Sequence, residues 1–217
     1  MLKPSTHDLL VLPDIAGLRR LCQSLAMLDA ILYPDWQGRY YSFNGCWDDR
    51  TSLGSMRNAE GDDYFILFMP AGAVIKGFAH ESEMSPYQTQ PNSVWPGLLD
   101  ELPQELKPAL SDPALLLEDV TFCIWRLTQD NAWRRGGITF PNSKDADGSA
   151  DLLALLDGNP QSYQRWAEEY YEREIDLGAV EQVYRHEPLT GSLVELLNPE
   201  ISLIDIEEDI KETGYPA

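Results

Sequence analysis

Apolar positions along the first part of the chain change their period. Ile15, Leu18, Leu21, Cys22, Leu25, Leu28 and Leu32 recur at three- and four-residue intervals, which gathers them on one face of an α-helix. Asp14, following Pro13, is placed to cap that helix by accepting from amides of its first turn, and Pro34 ends the pattern. Such a stripe needs a surface to lie on, and the next residues predict one. Tyr40 to Trp47 reads as a strand. Tyr64 to Met69 is apolar at every position, as suits a central strand buried on both faces. Pro70-Ala71-Gly72 is turn chemistry, and Ala73 to Ala79 returns with Val74, Lys76 and Phe78 sharing a face. Residues 64–79 therefore form an antiparallel hairpin. Gly77, in mid-strand, marks a bulge or a close approach of another group. Val120 to Leu127 is a further strand, followed by a Gly-Gly turn and a short run at Ile138-Thr139-Phe140.

Residues 82–96, rich in Ser, Pro, Gln and Asn, read as loop. Residues 97–118 read as two short helices broken by Pro103, Pro108 and Pro113. From residue 149 the pattern turns helical. Asn159-Pro160 is a cap followed by proline at the first helical position, and Tyr163, Trp166, Ala167 and Tyr170 then form an aromatic face. Further helical patterns cover 178–186 and 191–197. Residues 204–211 alternate Ile with acids and fit either a closing strand or a short helix. The expectation is an α+β fold: an antiparallel sheet of about five strands, packed by the N-terminal helix and followed by a mostly helical C-terminal part. The chain reads as one domain over 1–217, with 141–150 as the one candidate linker between a sheet-containing part (1–142) and an acidic helical part (150–217).

Charge changes the picture more than composition does. The 217 residues carry 16 Lys and Arg against 36 Asp and Glu, a net charge of −20. Residues 1–60 hold six basic and seven acidic side chains, whereas 161–217 hold four and fourteen. Half of the excess thus sits in the last quarter of the chain. A field of this sign repels phosphate backbones and anionic membranes, which argues against nucleic-acid and membrane-surface partners. It leaves a basic protein partner, a metal or plain solubility. The three cysteines form no CxxC pair, and no apolar run approaches a membrane span or a signal-peptide core, so a cytoplasmic location is expected.

Three groups of residues could carry chemistry. Asp145, Asp147 and Asp151 alternate around Gly148 like calcium ligands. In an EF-hand register, however, Ser143 and Ala154 would stand where the first carboxylate and the bidentate Glu belong, so the site is expected to be a polar loop and calcium is not expected as a cofactor. Cys46, in the polar stretch Asn44 to Asp49, could serve as a nucleophile if His80 were its base and Asp48 oriented the imidazole. His80 and Glu81 could form an acid–base pair, but neighbours on a strand point to opposite faces, so they mark instead the point where the hairpin leaves the core. The chain contains no HExxH, Walker loop, GxGxxG or GxSxG motif. Trp133-Arg134-Arg135-Gly136-Gly137 reads as an internal salt-bridge partner or a hairpin tip rather than a nucleic-acid site, and Arg57 as an ion-pair partner of Asp62 and Asp63.

The expectation is a non-enzymatic, acidic, bacterial binding protein. It would meet a basic partner, as an immunity protein meets a basic toxin, through Glu168, Glu169, Glu172, Asp205, Glu207, Glu208 and Asp209. The alternatives are a small hydrolase built on Cys46 and His80, and a structural or oligomeric protein that exposes Trp95 or the Tyr163–Tyr170 face.

Overall fold

The computed structural model describes residues 3–217. A long helix, α1 (Ile15–Leu32), precedes six strands: β1 (Tyr41–Asn44), β2 (Ser52–Arg57), β3 (Asp63–Met69), β4 (Gly72–Phe78), β5 (Phe122–Leu127) and β6 (Arg134–Arg135). Five helices follow: α2 (Ser149–Leu152), α3 (Pro160–Tyr170), α4 (Leu177–Tyr184), α5 (Gly191–Leu197) and α6 (Glu207–Thr213). The strands form one sheet in chain order, every pair antiparallel. The fold is α+β. Among the described residues no helix is long and apolar enough to cross a membrane.

Local chemistry explains most of the boundaries. The Asp14 carboxylate accepts from the Gly17 amide, and Asn159, Asp176 and Thr190 cap α3, α4 and α5 in the same manner. Residues 204–211, which fitted either structure by pattern, resolve as α6. Its first turn holds Glu207, Glu208 and Asp209 and its last turn Lys211, each sign complementing the helix dipole.

The sequence pattern hid two strands. Ser52–Arg57, with no β-branched residue and a Gly at its centre, is β2. A side chain at Gly54 would meet the Cys22 Cβ at 3.2 Å, so the small residue lets α1 lie close on the sheet. The last strand is Arg134–Arg135, before the Gly-Gly turn, rather than 138–140 after it. Gly77 does mark a close approach. It stands opposite Phe122, whose ring would lie 2.0 Å from an added Cβ.

Because β3 and β4 are apolar on both sides, the sheet has two cores. One face is covered by α1 and the C-terminal helices, with Ile66, Ile75, Phe122 and Ile124 packed against residues from Leu12 through Tyr215. The other face presents Leu53, Phe65, Leu67, Val74 and Trp125 to Leu98, Leu102, Leu106, Leu110 and Leu115. These leucines keep a near-helical spacing without an α-helix. Prolines at 103, 108 and 113 each remove an amide, so the expected helices of 97–118 appear as turns and the short 3-10 segments Lys107–Ser111 and Pro113–Leu115.

Each core contains one buried charge. On the helical side the carboxylate of Asp29 is fully buried in α1 and accepts from the amides of Tyr40 (2.9 Å) and Tyr41 (2.7 Å) and the hydroxyl of Tyr163 (2.8 Å). It therefore joins α1, the entry to β1, and α3. Burial pushes its pKa up to about 6, although the Tyr41 amide and the Tyr163 hydroxyl act in the opposite direction. On the other face Lys76 is wholly buried, with its ammonium 3.3 Å from Asp63 and 5.3 Å from the Phe65 ring centre. Burial lowers the lysine's pKa and raises that of Asp63, and each partner partly restores the other.

Two predictions follow from these charges. A carboxyl that binds its proton more tightly when folded contributes stability below the unfolded pKa and loses it as pH rises through the folded value. The advantage of wild type over Asp29→Asn in urea unfolding should therefore shrink by up to about 3 kcal/mol between pH 4 and pH 7. For the second pair, Asp63→Ala leaves a buried ammonium alone and should cost about 3 kcal/mol, whereas Lys76→Met should cost about 1 kcal/mol or less. Denaturant titration of the two variants gives the comparison, and equal losses would contradict this account.

Candidate functional site

The residues singled out in the sequence fall into several separate places. Cys46 follows β1 and is exposed in the β1–β2 turn, where its amide donates to Asn44 Oδ1 at 2.8 Å. The Asp48 side chain accepts from the Arg50 amide at 2.7 Å, a bond that holds its pKa below the usual carboxylate range. His80 lies at the other end of the sheet. Asn44 is level with Leu53, Leu67 and Val74 across β2, β3 and β4, and His80 comes six residues beyond Val74. At ~3.3 Å per residue and ~4.8 Å per strand, Cys46 and His80 are roughly 25 Å apart. The structure does not bring nucleophile and base together.

His80 and Glu81 do meet each other, contrary to their expected opposite orientations. The chain turns directly after β4, and His80 Nδ1 lies 3.0 Å from Glu81 Oε1. Both side chains are open to water, at 52% and 93% exposure, so the pair lacks an enclosing pocket. Asp62 accepts from the His80 amide and the Asn58 side chain, and Asp63 pairs with Lys76, so neither carboxylate is the expected ion-pair partner of Arg57. Arg57 instead stacks over Phe65, 5.5 Å from its centre.

Of the 145–151 carboxylates, Asp145 and Asp147 accept hydrogen bonds from the protein and Asp151 is exposed. Asp145 accepts from the amides of Ala150 and Asp151. Asp147 is fully buried, with one oxygen accepting from the Ser149 amide (3.0 Å) and the other from the Thr6 hydroxyl (2.6 Å). It anchors the N-terminal segment to the start of α2, a tertiary role that the alternating pattern does not reveal. Among the described residues no group of three or more metal-ligating side chains is gathered. Trp133 and Arg135 tie the last strand to the N-terminal segment, whereas Arg134 is exposed. The Trp133 indole donates to Pro13 O, Arg134 reaches Asp130, and Arg135 donates to Thr6 O while lying over Phe140.

The acidic residues divide into committed and free groups. Asp209 forms a mostly buried ion pair with Arg39, Asp205 accepts from Ser202, and Glu207 pairs with Lys211. On α3, Glu168 accepts from the Ile175 amide and from Gln164, fixing the link into α4. Glu169, Glu172 and Glu208 stand exposed. Glu172 has a left-handed backbone (φ 52°), which turns the chain out of α3. Beyond it Glu174 and Asp176, absent from the sequence-derived set, join Glu168 and Glu172 around one open depression. Arg173 lies within it but directs its guanidinium inward, donating to Leu32 O at 3.1 Å. Leu196, 55% exposed, adds an apolar wall. The aromatic face beside it offers little free surface: Tyr163 and Ala167 are buried and Trp166 is half-buried, leaving Tyr170 exposed. Trp95 is likewise half-buried, its indole donating to Thr139 O.

A second cleft, of about 690 Å³, opens where the first turn of α1 overhangs the end of the sheet. Its lining includes Cys46 and three arginines, Arg19, Arg50 and Arg126, brought together from α1, the β1–β2 turn and β5. Their separation of more than one hundred residues kept this grouping out of the sequence pattern. Compared with known protein families, characterised proteins and solved structures, the chain has no match.

If Asp147 is an anchor rather than a ligand, Asp147→Ala should cost about 2–4 kcal/mol by leaving buried donors unpaired. Calcium at about 5 mM should leave the wild-type melting temperature unchanged, because a ligand stabilises only what it binds. A rise of several degrees in calorimetry would restore the metal reading.

Proposed function

We propose that the protein is a non-enzymatic binding protein whose acidic face, formed where α3 passes into α4, receives a basic protein partner, in the manner of an immunity protein that neutralises a basic toxin. The observation that carries this reading is the depression edged by Glu168, Glu172, Glu174 and Asp176 beside the exposed Leu196. Glu172 and Glu174 are both exposed there, and the one cation within the rim, Arg173, donates to a main-chain carbonyl beneath it. A lysine or arginine presented by a partner would meet several carboxylates and one apolar contact. Surface charge of one sign also raises the rate of encounter with a partner of the opposite sign.

The acids of α6 have a lesser part. Asp209 and Glu207 already have intramolecular cations, so a partner would have to displace these to use them. The hydrolase alternative lacks support from the geometry, since Cys46 and His80 lie at opposite ends of the sheet.

A hexalysine peptide serves as a defined basic probe, and co-purification with the products of neighbouring genes as the search for the natural partner. Glu172→Lys/Glu174→Lys should weaken hexalysine binding by about tenfold at low salt, while Glu207→Lys should change it by about twofold or less. Binding should fall away as the Debye length shrinks to ~3 Å near 1 M salt. Equal effects of the two variants, or binding indifferent to salt, would count against this face, and failure to recover any basic protein at low salt would count against the function.

A further inference from the structure

The cleft over the end of the sheet has an organisation that basic-partner binding does not use. Its floor is a cross-strand row: Ser52 stands opposite Phe68, Phe68 opposite Ala73, and Ala73 opposite Arg126. Ile15, Ala16 and Arg19 of α1 form the other wall. The turn carrying Cys46 and Arg50 closes one side. The cleft therefore pairs an apolar floor with three guanidinium groups in a protein of net charge −20.

Arg126 has the most defined position of the three. It is half-buried, and its Nε donates to the Asp130 carbonyl at 3.1 Å. That bond fixes the plane of the guanidinium without using its terminal nitrogens, the pair that recognises a carboxylate or phosphate through two parallel bonds. Among the described residues, no carboxylate lies within ion-pair distance of Arg19, Arg50 or Arg126. Three aspartates also line the cleft. Asp14 accepts from the Gly17 amide and Asp48 from the Arg50 amide, bonds that orient these carboxylates but leave their charge in place, and Asp49 stands on the exposed turn.

We propose that this cleft binds a small oxyanion, a carboxylate or a phosphate, carried by a molecule with an apolar part, with Arg126 as its anchor, Arg19 and Arg50 as flanking cations, and Phe68 beneath the apolar portion. Cys46 at the rim supplies a reporter. It is the exposed thiol of the chain, Cys22 and Cys123 being buried. In the native protein, alkylation therefore reads the potential of the cleft.

The test compares iodoacetate with iodoacetamide. Both attack the same thiolate, so the ratio of their rates is independent of thiol ionisation and reports the local charge. At Cys46 this ratio should exceed that of a small neutral thiol by about threefold at low salt, against the repulsion that the net charge would impose on an anionic reagent. Arg126→Gln should bring the ratio down to that of the free thiol, while an unchanged iodoacetamide rate verifies that the cleft is intact. Inorganic phosphate and 3-phenylpropanoate, each at about 10 mM, are then tested for protection of wild-type Cys46 against iodoacetamide, a level that detects millimolar affinity. Protection by phosphate alone identifies a phosphorylated ligand, and protection by phenylpropanoate alone a carboxylate. A wild-type ratio at or below that of the free thiol, a ratio unaffected by Arg126→Gln, or protection by neither anion overturns the proposal.

Discussion

Strands β3 and β4 carry apolar side chains on both faces, so neither face of the sheet can be left to water. This constraint shapes the whole molecule. The helical side uses regular elements, α1 and the C-terminal helices, whose apolar stripes fit a flat surface. On the other side the connection from β4 to β5 forms a layer of turns and 3-10 segments, studded with leucines that face inward and prolines that prevent a longer helix. The two layers differ in regularity but answer the same requirement, removal of apolar area from water at about 25 cal/mol per Å².

The polar groups enclosed by these layers are structural fasteners. Asp29 binds the first strand and α3 to α1, while Lys76 meets Asp63 in the opposite core. Asp147 ties the N-terminal segment to the entry of α2. A buried carboxylate with three donors specifies its neighbours more narrowly than apolar packing does, because any shift leaves a donor or acceptor unpaired in a medium of low dielectric. Of the titratable groups that attract notice in the sequence, Asp147 proves to be one of these fasteners. His80 and Glu81 lie in water at the end of a strand.

With the interior occupied by fasteners, the surface is where recognition can take place, and the two proposed sites have opposite electrical character. Among the described residues, the carboxylates of the α3–α4 depression have no cation within ion-pair distance, and the guanidinium groups of the cleft above the sheet end have no carboxylate within that distance. Opposite charges on one chain would lower their energy by pairing with each other. Their location at the two ends of α1, the cleft at its first turn and the depression beside Leu32, keeps them available to other molecules.

Much of the fold is legible in the residues. Period, capping side chains and turn chemistry identify α1, the hairpin 64–79, α3, α4 and α5, because these signals are local and each element satisfies them within its own span. β2 escapes because Gly54 answers to the approach of α1 rather than to strand propensity, and Gly77 is explained only by the ring of Phe122. The candidate sites are harder still to see. Arg19, Arg50 and Arg126 become neighbours only when helix, turn and strand are assembled, and Glu174 and Asp176 join Glu168 only through the turn at Glu172. Sequence by itself determined α1, the hairpin, α3, α4, α5 and the sign of the charge, since these depend on short-range chemistry and composition. Tertiary structure decided which charges are consumed and which remain free, since that depends on distances between residues far apart along the chain.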